Sequence, residues 1–183
     1  MQTTYFATAF AALLCSSLFG SSAFVAAGSW GVPTAQSVAV TAQNHCKETR
    51  VVHMTGKNGV LIMPEQTIPA GETFTTYMAD TATSLAWFFG DGTGKADEFE
   101  ASFTNGKASY DASYIVSYTG NAFHATPAMR SGYGMTTDCT PVGCGANPTV
   151  ANCPHGYWAS SNAVRADYSC FLNTITGFHI DLC

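Results

Sequence analysis

Cysteine is the residue that most constrains how this chain can fold. One of the seven, Cys15, lies in an apolar N-terminal stretch. The other six are Cys46, Cys139, Cys144, Cys153, Cys170 and Cys183. An even set in an exported chain is typical of a disulfide framework, whereas zinc sites commonly contain a C-x2-C pair, which is absent here. The six cysteines therefore predict three disulfides and no metal site.

The N-terminal segment indicates export. An apolar stretch from Phe6 to Phe19 is followed by small residues that end in Val25-Ala26-Ala27, and no Asp, Glu, Lys or Arg occurs before Lys47. An apolar run followed by small residues is typical of a signal peptide, and this run is too short to span a bilayer. We expect residues 1–27 to be a signal peptide and residues 28–183 to be one secreted domain, with a retained anchor as the alternative.

The composition excludes several partners. Charged residues make up 10% of the chain and the net charge is -5. Nucleic-acid surfaces need clustered Lys and Arg to neutralise phosphates, so we expect no nucleic-acid partner. The segment Asp91–Lys95 (DGTGK) lacks the full spacing of a phosphate loop and predicts a β-turn. We therefore predict no cofactor, and a monomer that acts outside the cell.

Short apolar segments separated by Gly, Asn, Pro and Asp predict an all-β sandwich. The predicted strands are residues 37–42, 50–55, 60–63, 73–78, 84–89, 98–104, 109–117 and 176–182. The stretch 125–170 is different, since it is rich in Gly, Pro, Asn and Cys and has little periodicity. We expect this stretch to form a loop lobe that disulfides hold in place.

The segment around Asn105-Gly106 contains the candidate catalytic residues. Asn-Gly favours a two-residue type I′ turn, which places Glu100 directly opposite Asp111 on the neighbouring strand. Glu98 lies on the same face as Glu100 because side chains alternate along a strand. Three explanations of this acidic group stay open: an acid/base pair, a cation site, or charges screened by solvent and a nearby lysine. A separation of about 5 Å between two carboxyl groups would also suit a retaining glycosidase.

Several segments resemble the thaumatin-like protein family, also called pathogenesis-related group 5 or osmotin-like proteins. The similar segments are Val40–Cys46, Ile68–Phe74, Ala96–Phe99, Tyr110–Ser113, Phe123–Pro127, the cysteines from Cys139 to Cys170, and Phe178–Cys183. The resemblance implies a thaumatin-like β-sandwich with a reduced loop lobe. It also implies the disulfides Cys46 to Cys183, Cys139 to Cys170 and Cys144 to Cys153. Six cysteines, instead of the sixteen of the large members, resemble the small fungal type.

The family has an acidic cleft linked to β-1,3-glucan binding or weak endo-β-1,3-glucanase activity. The resemblance places Glu98, or Glu100, and Asp111 at cleft positions. The segment Leu85–Gly90 has no arginine where the family's cleft has one, and Ala108 stands at one of its aspartate positions. The resemblance therefore supports the fold better than the catalysis, and any glucanase activity should be weak.

Aromatic residues are the remaining binding candidates. Trp87 and Phe88 lie near the predicted cleft, where rings could stack on sugars, although aromatic residues of strands are more often part of the core. Tyr114 and Tyr118, with Phe123 and Trp158, could form an exposed patch for a protein partner. The five histidines lie on separate segments, so they predict no metal site. We expect a secreted effector or virulence protein that engages host proteins or cell-wall components, with a glucan-directed antifungal or wall-remodelling protein as the alternative.

Overall fold

The computed structural model describes residues 29–115, 118–153, 156, 158 and 168–183. The expected signal peptide, with Cys15, lies outside these residues. Within them, regular structure is β apart from a 3-10 turn at Lys57–Gly59. The strands are β1 (Ser29–Trp30), β2 (Ser37–Asn44), β3 (Arg50–Thr55), β4 (Leu61–Ile68), β5 (Thr73–Ala79), β6 (Leu85–Gly90), β7 (Ala96–Thr104), β8 (Lys107–Ser113), β9 (Phe123–Met129), β10 (Val142–Cys144), β11 (Tyr168–Phe171) and β12 (Ile175–Leu182).

These strands form two six-stranded sheets. The first sheet has the order β1-β5-β2-β12-β9-β10, and the second has the order β11-β8-β7-β6-β3-β4. Burial alternates along β2, where Val38, Val40 and Ala42 are buried and their neighbours are partly exposed. Such alternation is what a strand with one core face and one solvated face requires. Among the described residues, no helix is long and apolar enough to cross a membrane.

The core lies between the two sheets and is rich in aromatic rings. The Phe99 ring of the second sheet lies 5.1 Å from the Phe178 ring of the first. Trp87 is 1% exposed, and its indole Nε1 donates a hydrogen bond of 2.9 Å to Thr76 Oγ1 on the opposite sheet. The prediction that Trp87 lines a binding surface is therefore wrong, because β6 directs this side chain into the core.

Three disulfides join the six cysteines of the described residues, in the same pairs that the family resemblance implies. Cys46–Cys183 joins the chain just after β2 to the residue after β12, and these two strands pair in parallel. The two partners are 137 positions apart. Closing so long a loop removes about 5 kcal/mol of unfolded-state entropy on the loop-closure model. This bond therefore stabilises the fold and links the ends of the two central strands of the first sheet.

The predicted loop lobe contains more regular structure than its composition suggested. β9 begins just before the lobe and continues into it, β10 lies within it, and β11 ends one residue beyond it. In the first sheet, β9 lies between β12 and β10. The two alanines and the proline of β9 (FHATPAM) disfavour a strand, which hid it from sequence analysis. β10 pairs with β9 only at Phe123–Ala125, so Pro127 has a neighbouring strand, β12, on one side only. Proline has no N–H to donate, and it is tolerated where one side of a strand is unpaired. The disulfide-held segments between these strands fit the expected lobe.

The hairpin between β7 and β8 forms as predicted. Asn105 and Gly106 have φ values of 52° and 72°, as a type I′ turn requires. Thr104 pairs with Lys107, and Glu100 pairs with Asp111. β8 ends at Ser113, four residues before the predicted end.

Candidate functional site

The acidic residues lie on the outer face of the second sheet, which faces away from the first sheet. Asp97 and Phe99 of β7 are buried toward the core, so Glu98 and Glu100 point to the opposite face. Glu98 lies between Phe88 of β6 and Ser113 of β8. Glu100 lies between Ala86 and Asp111 in the next row of the same face. We call Glu98, Glu100 and Asp111 the acidic face.

A groove runs beside two of these residues. It has a volume of about 430 Å³ and is lined by Phe88, Glu98 and Glu100, by Ser84 and Ala86, and by residues 55–59, which include the 3-10 turn. The Phe88 ring is partly exposed and stacks on His53 of β3, with ring centroids 4.8 Å apart and planes 10° apart. This stacking fixes the orientation of the only aromatic ring in the groove lining.

The environment of Glu98 raises the pKa of its carboxyl group to about 7. Burial is the main cause, since the residue is only 7% exposed, and the negative charge of Glu100 adds to it. A hydrogen bond with Ser113 acts in the opposite direction. Near neutral pH this carboxyl group therefore exists in both its protonated and its ionised form, so it can either donate or accept a hydrogen bond.

This arrangement has two chemical capacities. A carboxyl group with a pKa near 7 beside a second carboxylate can act as a general acid or base. The same groups can accept hydrogen bonds from hydroxyl groups, while Phe88 offers an apolar surface. The groove lining contains one basic side chain, Lys57, and it belongs to the 3-10 turn. A hydroxyl-rich, uncharged ligand suits this set of groups better than an anion does.

The predicted aromatic patch is mostly internal packing. Tyr114 is 4% exposed and stacks on Trp158 with ring centroids 4.8 Å apart. Tyr118 is half-buried, packs edge-on against both rings, and donates its hydroxyl to the Pro148 carbonyl at 3.3 Å. Phe123 is fully buried. The prediction that Tyr114 and Phe123 are exposed is therefore wrong, because these rings pack inside the protein.

A different group of apolar residues is exposed. Tyr133, Met135 and Phe171 are 52%, 48% and 58% exposed. Tyr133 and Phe171 line a pocket of about 250 Å³ beside the Cys139–Cys170 disulfide, and Met135 lies next to the lining residues in sequence. The Lys107 ammonium lies 5.1 Å from the centre of the Phe171 ring. Sequence analysis missed this group, which we call the apolar patch, because Tyr133 and Met135 lie in the predicted loop lobe and only the fold brings Phe171 of β11 close to Tyr133.

The outer face of the first sheet brings histidines together. His45 Nε2 lies 3.1 Å from Asp181 Oδ1, and His179 Nε2 lies 3.3 Å from the same oxygen. The exposed His124 of β9 pairs directly with Asp181. The sequence places these histidines on separate segments. The parallel pairing of β2 with β12 brings His45 close to Asp181, and the antiparallel pairing of β9 with β12 places His124 opposite it.

Comparisons with known proteins give a fold relationship. No protein-family profile matches the chain, and no curated protein matches its sequence. The structure is similar to that of the protein elicitor MoHrip2 from Magnaporthe oryzae, with a TM-score of 0.56 and 16% identity over 80% of this chain and 98% of that chain. It is also similar to the thaumatin-like xylanase inhibitor TLXI, with a TM-score of 0.49 and 10% identity over 79% of this chain and 98% of that chain.

At this level of identity, the likeness to the elicitor shows a shared fold and nothing beyond it. The predicted fold class, an all-β sandwich with disulfide-linked cysteines, is confirmed. Disulfides form and persist mainly in oxidising compartments, so the three in this chain are consistent with an extracellular protein.

Proposed function

We propose that this chain is an extracellular binding protein that holds a neutral cell-wall polysaccharide, with β-1,3-glucan as the first candidate. One observation carries the proposal: Phe88, Glu98 and Glu100 line the same groove on an outer sheet face. Aromatic rings pack against the apolar faces of sugars, and carboxyl groups bond their hydroxyls. Carbohydrate recognition needs both kinds of group within reach of one sugar.

The charge of the groove supports an uncharged ligand. Glu98 and Glu100 both face it, and like charges would repel the carboxylates of a uronic acid polymer. A neutral glucan avoids that repulsion, and its hydroxyls can both donate and accept. Glu98 can likewise do both, because its raised pKa keeps the carboxyl group protonated, and able to donate a hydrogen bond, at mildly acidic pH.

We propose binding rather than efficient hydrolysis. The raised pKa of Glu98 suits a general acid, but the arginine that the family resemblance leads us to expect is missing from Leu85–Gly90. A weak endo-β-1,3-glucanase activity is therefore the most that we expect. It would be detected as reducing ends released from laminarin, and it should disappear when Glu98 is replaced by glutamine.

The test is binding of the oxidised, purified mature protein to soluble laminarin and to insoluble β-1,3-glucan. We expect Phe88→Ala and the triple variant E98Q/E100Q/D111N each to weaken binding at least tenfold. Phe171→Ala removes an exposed ring elsewhere on the molecule and serves as the matched control. Folded protein that binds neither glucan, or variants that bind as well as the original, would overturn the proposal.

A second candidate function is engagement of a host extracellular protein, as expected of a small fungal effector. The apolar patch favours it, because exposed Tyr, Phe and Met residues around a pocket are typical of the energetic centres of protein interfaces. Its test is binding to proteins of plant apoplastic fluid, compared between the original chain and a Y133A/F171A variant. Specific partners that both proteins retain equally would contradict this role of the patch.

A further inference from the structure

We propose that the groove beside the acidic face continues across the second sheet along a row of serine residues, so that the protein binds a glucan chain of several sugar units. The row consists of Ser84, Ser102, Ser109 and Ser169, and we call it the serine row. The length of the ligand rests on the proposed function, in which the groove holds a neutral β-1,3-glucan.

The register of the second sheet places these serines side by side. Ser102 of β7 pairs directly with Ser109 of β8, and Ser109 pairs with Ser169 of β11. Directly paired residues share a face, and their Cβ atoms are about 4.5 to 5.5 Å apart. Ser102 comes two residues after Glu100, and Ser109 comes two residues before Asp111. The serine row therefore lies on the outer face of the sheet, next to the acidic face.

Ser84 joins the serine row to the groove. It lines the groove, and its backbone N–H donates a hydrogen bond of 2.8 Å to Ser102 Oγ. Ser84 has a φ of 55°, in the left-handed region that residues other than glycine seldom adopt. Such backbone conformations cluster at active sites and ligand clamps. The hydrogen bond makes the groove and the serine row one continuous surface.

The serine row is lower than the side chains that flank it. Serine has a short side chain, whereas Glu100 and Asp111 on one side of the row and Lys107 on the other have longer ones. The row therefore forms the floor of a shallow channel that crosses the strands. A linear polymer can lie in such a channel and extend from it into the groove.

The chemistry of the channel floor suits a neutral polysaccharide. A serine hydroxyl can both donate and accept hydrogen bonds, as the hydroxyl groups of a sugar do. Ser109 is exposed, and Ser102 is half-buried. The Ser102 oxygen accepts the Ser84 amide, and its O–H can donate to a ligand. The floor therefore offers hydrogen bonds to a glucan without adding charge.

The dimensions of the surface set the length of the ligand. Phe88 pairs with Glu98, and Ser109 lies four residues further along the strands and one strand beyond β7. The Cα atoms of Phe88 and Ser109 are therefore about 17 Å apart. A disaccharide is too short to contact both, whereas a longer oligosaccharide can. Phe171 pairs with Lys107 in the row beyond and lies outside this path.

The experiment is calorimetric titration of the oxidised mature protein with linear β-1,3-linked gluco-oligosaccharides, from the disaccharide to the heptasaccharide. We expect affinity to rise with chain length until the chain spans Phe88 and Ser109, and then to level off. Ser109→Val should weaken binding of the heptasaccharide at least fivefold and change binding of the disaccharide less than twofold. Ser109→Thr has nearly the same shape as Ser109→Val but keeps a hydroxyl group, so it should bind the heptasaccharide within twofold of the original protein.

Controls separate this inference from the proposed function. Valine and threonine favour strands, so both variants at the exposed Ser109 should fold. Thr67→Val removes a hydroxyl group from an exposed position on the edge strand β4 and should leave binding unchanged. Affinity that does not rise with chain length, or equal heptasaccharide binding by Ser109→Val and the original protein, would overturn the inference and leave the groove as the binding site. Folded protein that binds no oligosaccharide of any length would overturn both.

Discussion

The outer faces of the two sheets differ in how their residues come together. On the second sheet, Glu98, Glu100 and Asp111 belong to one hairpin whose turn, Asn105-Gly106, brings near neighbours in sequence face to face. On the first sheet, His45 and Asp181 are 136 positions apart and meet only because distant strands pair in parallel. A group of residues that a local turn brings together can therefore be predicted from the sequence. A group that forms only through the pairing of distant strands cannot.

The two faces also differ in burial. Glu98 is 7% exposed, and its pKa is raised to about 7, whereas the side chains of His45 and Asp181 are 54% and 39% exposed. Substitutions on the second sheet should therefore change folding stability as well as binding. Substitutions at the exposed His45 and Asp181 should leave stability almost unaltered.

The largest expected effect lies in the core that both faces share. Trp87→Ala should destabilise the protein by about 3 to 5 kcal/mol, because it removes a large buried ring and leaves a cavity. It also removes the hydrogen bond to Thr76 on the opposite sheet. The free energy of unfolding from urea titrations tests this prediction. The milder Thr76→Val keeps the ring but leaves its N–H unpaired, so it should cost about 1 to 3 kcal/mol. A loss below 1 kcal/mol for Trp87→Ala would contradict the core position of this residue.

The second effect depends on pH and belongs to Glu98. Because its pKa is about 7 in the folded protein and 4.5 for the ordinary side chain, folding favours the protonated form. This stabilisation is complete below pH 4.5 and is lost as the pH rises to about 7, a change on the order of 3 kcal/mol. Glu98→Gln has no such proton to lose, so it should be the more stable protein above pH 7.

The measurement for Glu98 is the free energy of unfolding of both proteins between pH 4 and pH 8. The buried Asp97 also has a raised pKa, owing mainly to desolvation, but it is present in both proteins and cancels in the difference. Parallel pH profiles for the two proteins would show that Glu98 keeps an ordinary pKa in the fold. They would also remove the support for a donating role of this carboxyl group in the groove.

A smaller effect tests the turn that assembles the acidic face. Gly106 has a φ of 72° and open space where a Cβ would lie, so Gly106→Ala should cost about 1 to 2 kcal/mol through backbone strain alone. Gly134 also has open space at that position but has no positive φ. Gly134→Ala is therefore the matched control and should be neutral or slightly stabilising. Thermal unfolding of the two variants should separate them by several degrees, and equal Tm values would argue against a type I′ turn.

Sequence analysis anticipated the elements that depend on local patterns. The alternation in β7 and the Asn-Gly turn predicted a strand, a hairpin and the pairing of Glu100 with Asp111, because side-chain period and turn type are local properties. It missed β9, whose two alanines and one proline have little intrinsic β-preference and whose pairing with β12 decides its conformation. Packing direction was equally hidden, since nothing local shows that Trp87 points inward while Phe88 points outward.

The smallest expected effect separates the histidine site from the rest of the structure. At neutral pH, His45→Ala and His179→Ala should each change the free energy of unfolding by less than about 1 kcal/mol, because exposed pairs of this kind contribute little. Urea titration of each variant and of the original protein measures this change. A loss of several kcal/mol in the variants would instead show that these histidines hold the two strands together. In that case the cluster around Asp181 would belong to the folding framework, as the neighbouring disulfide does.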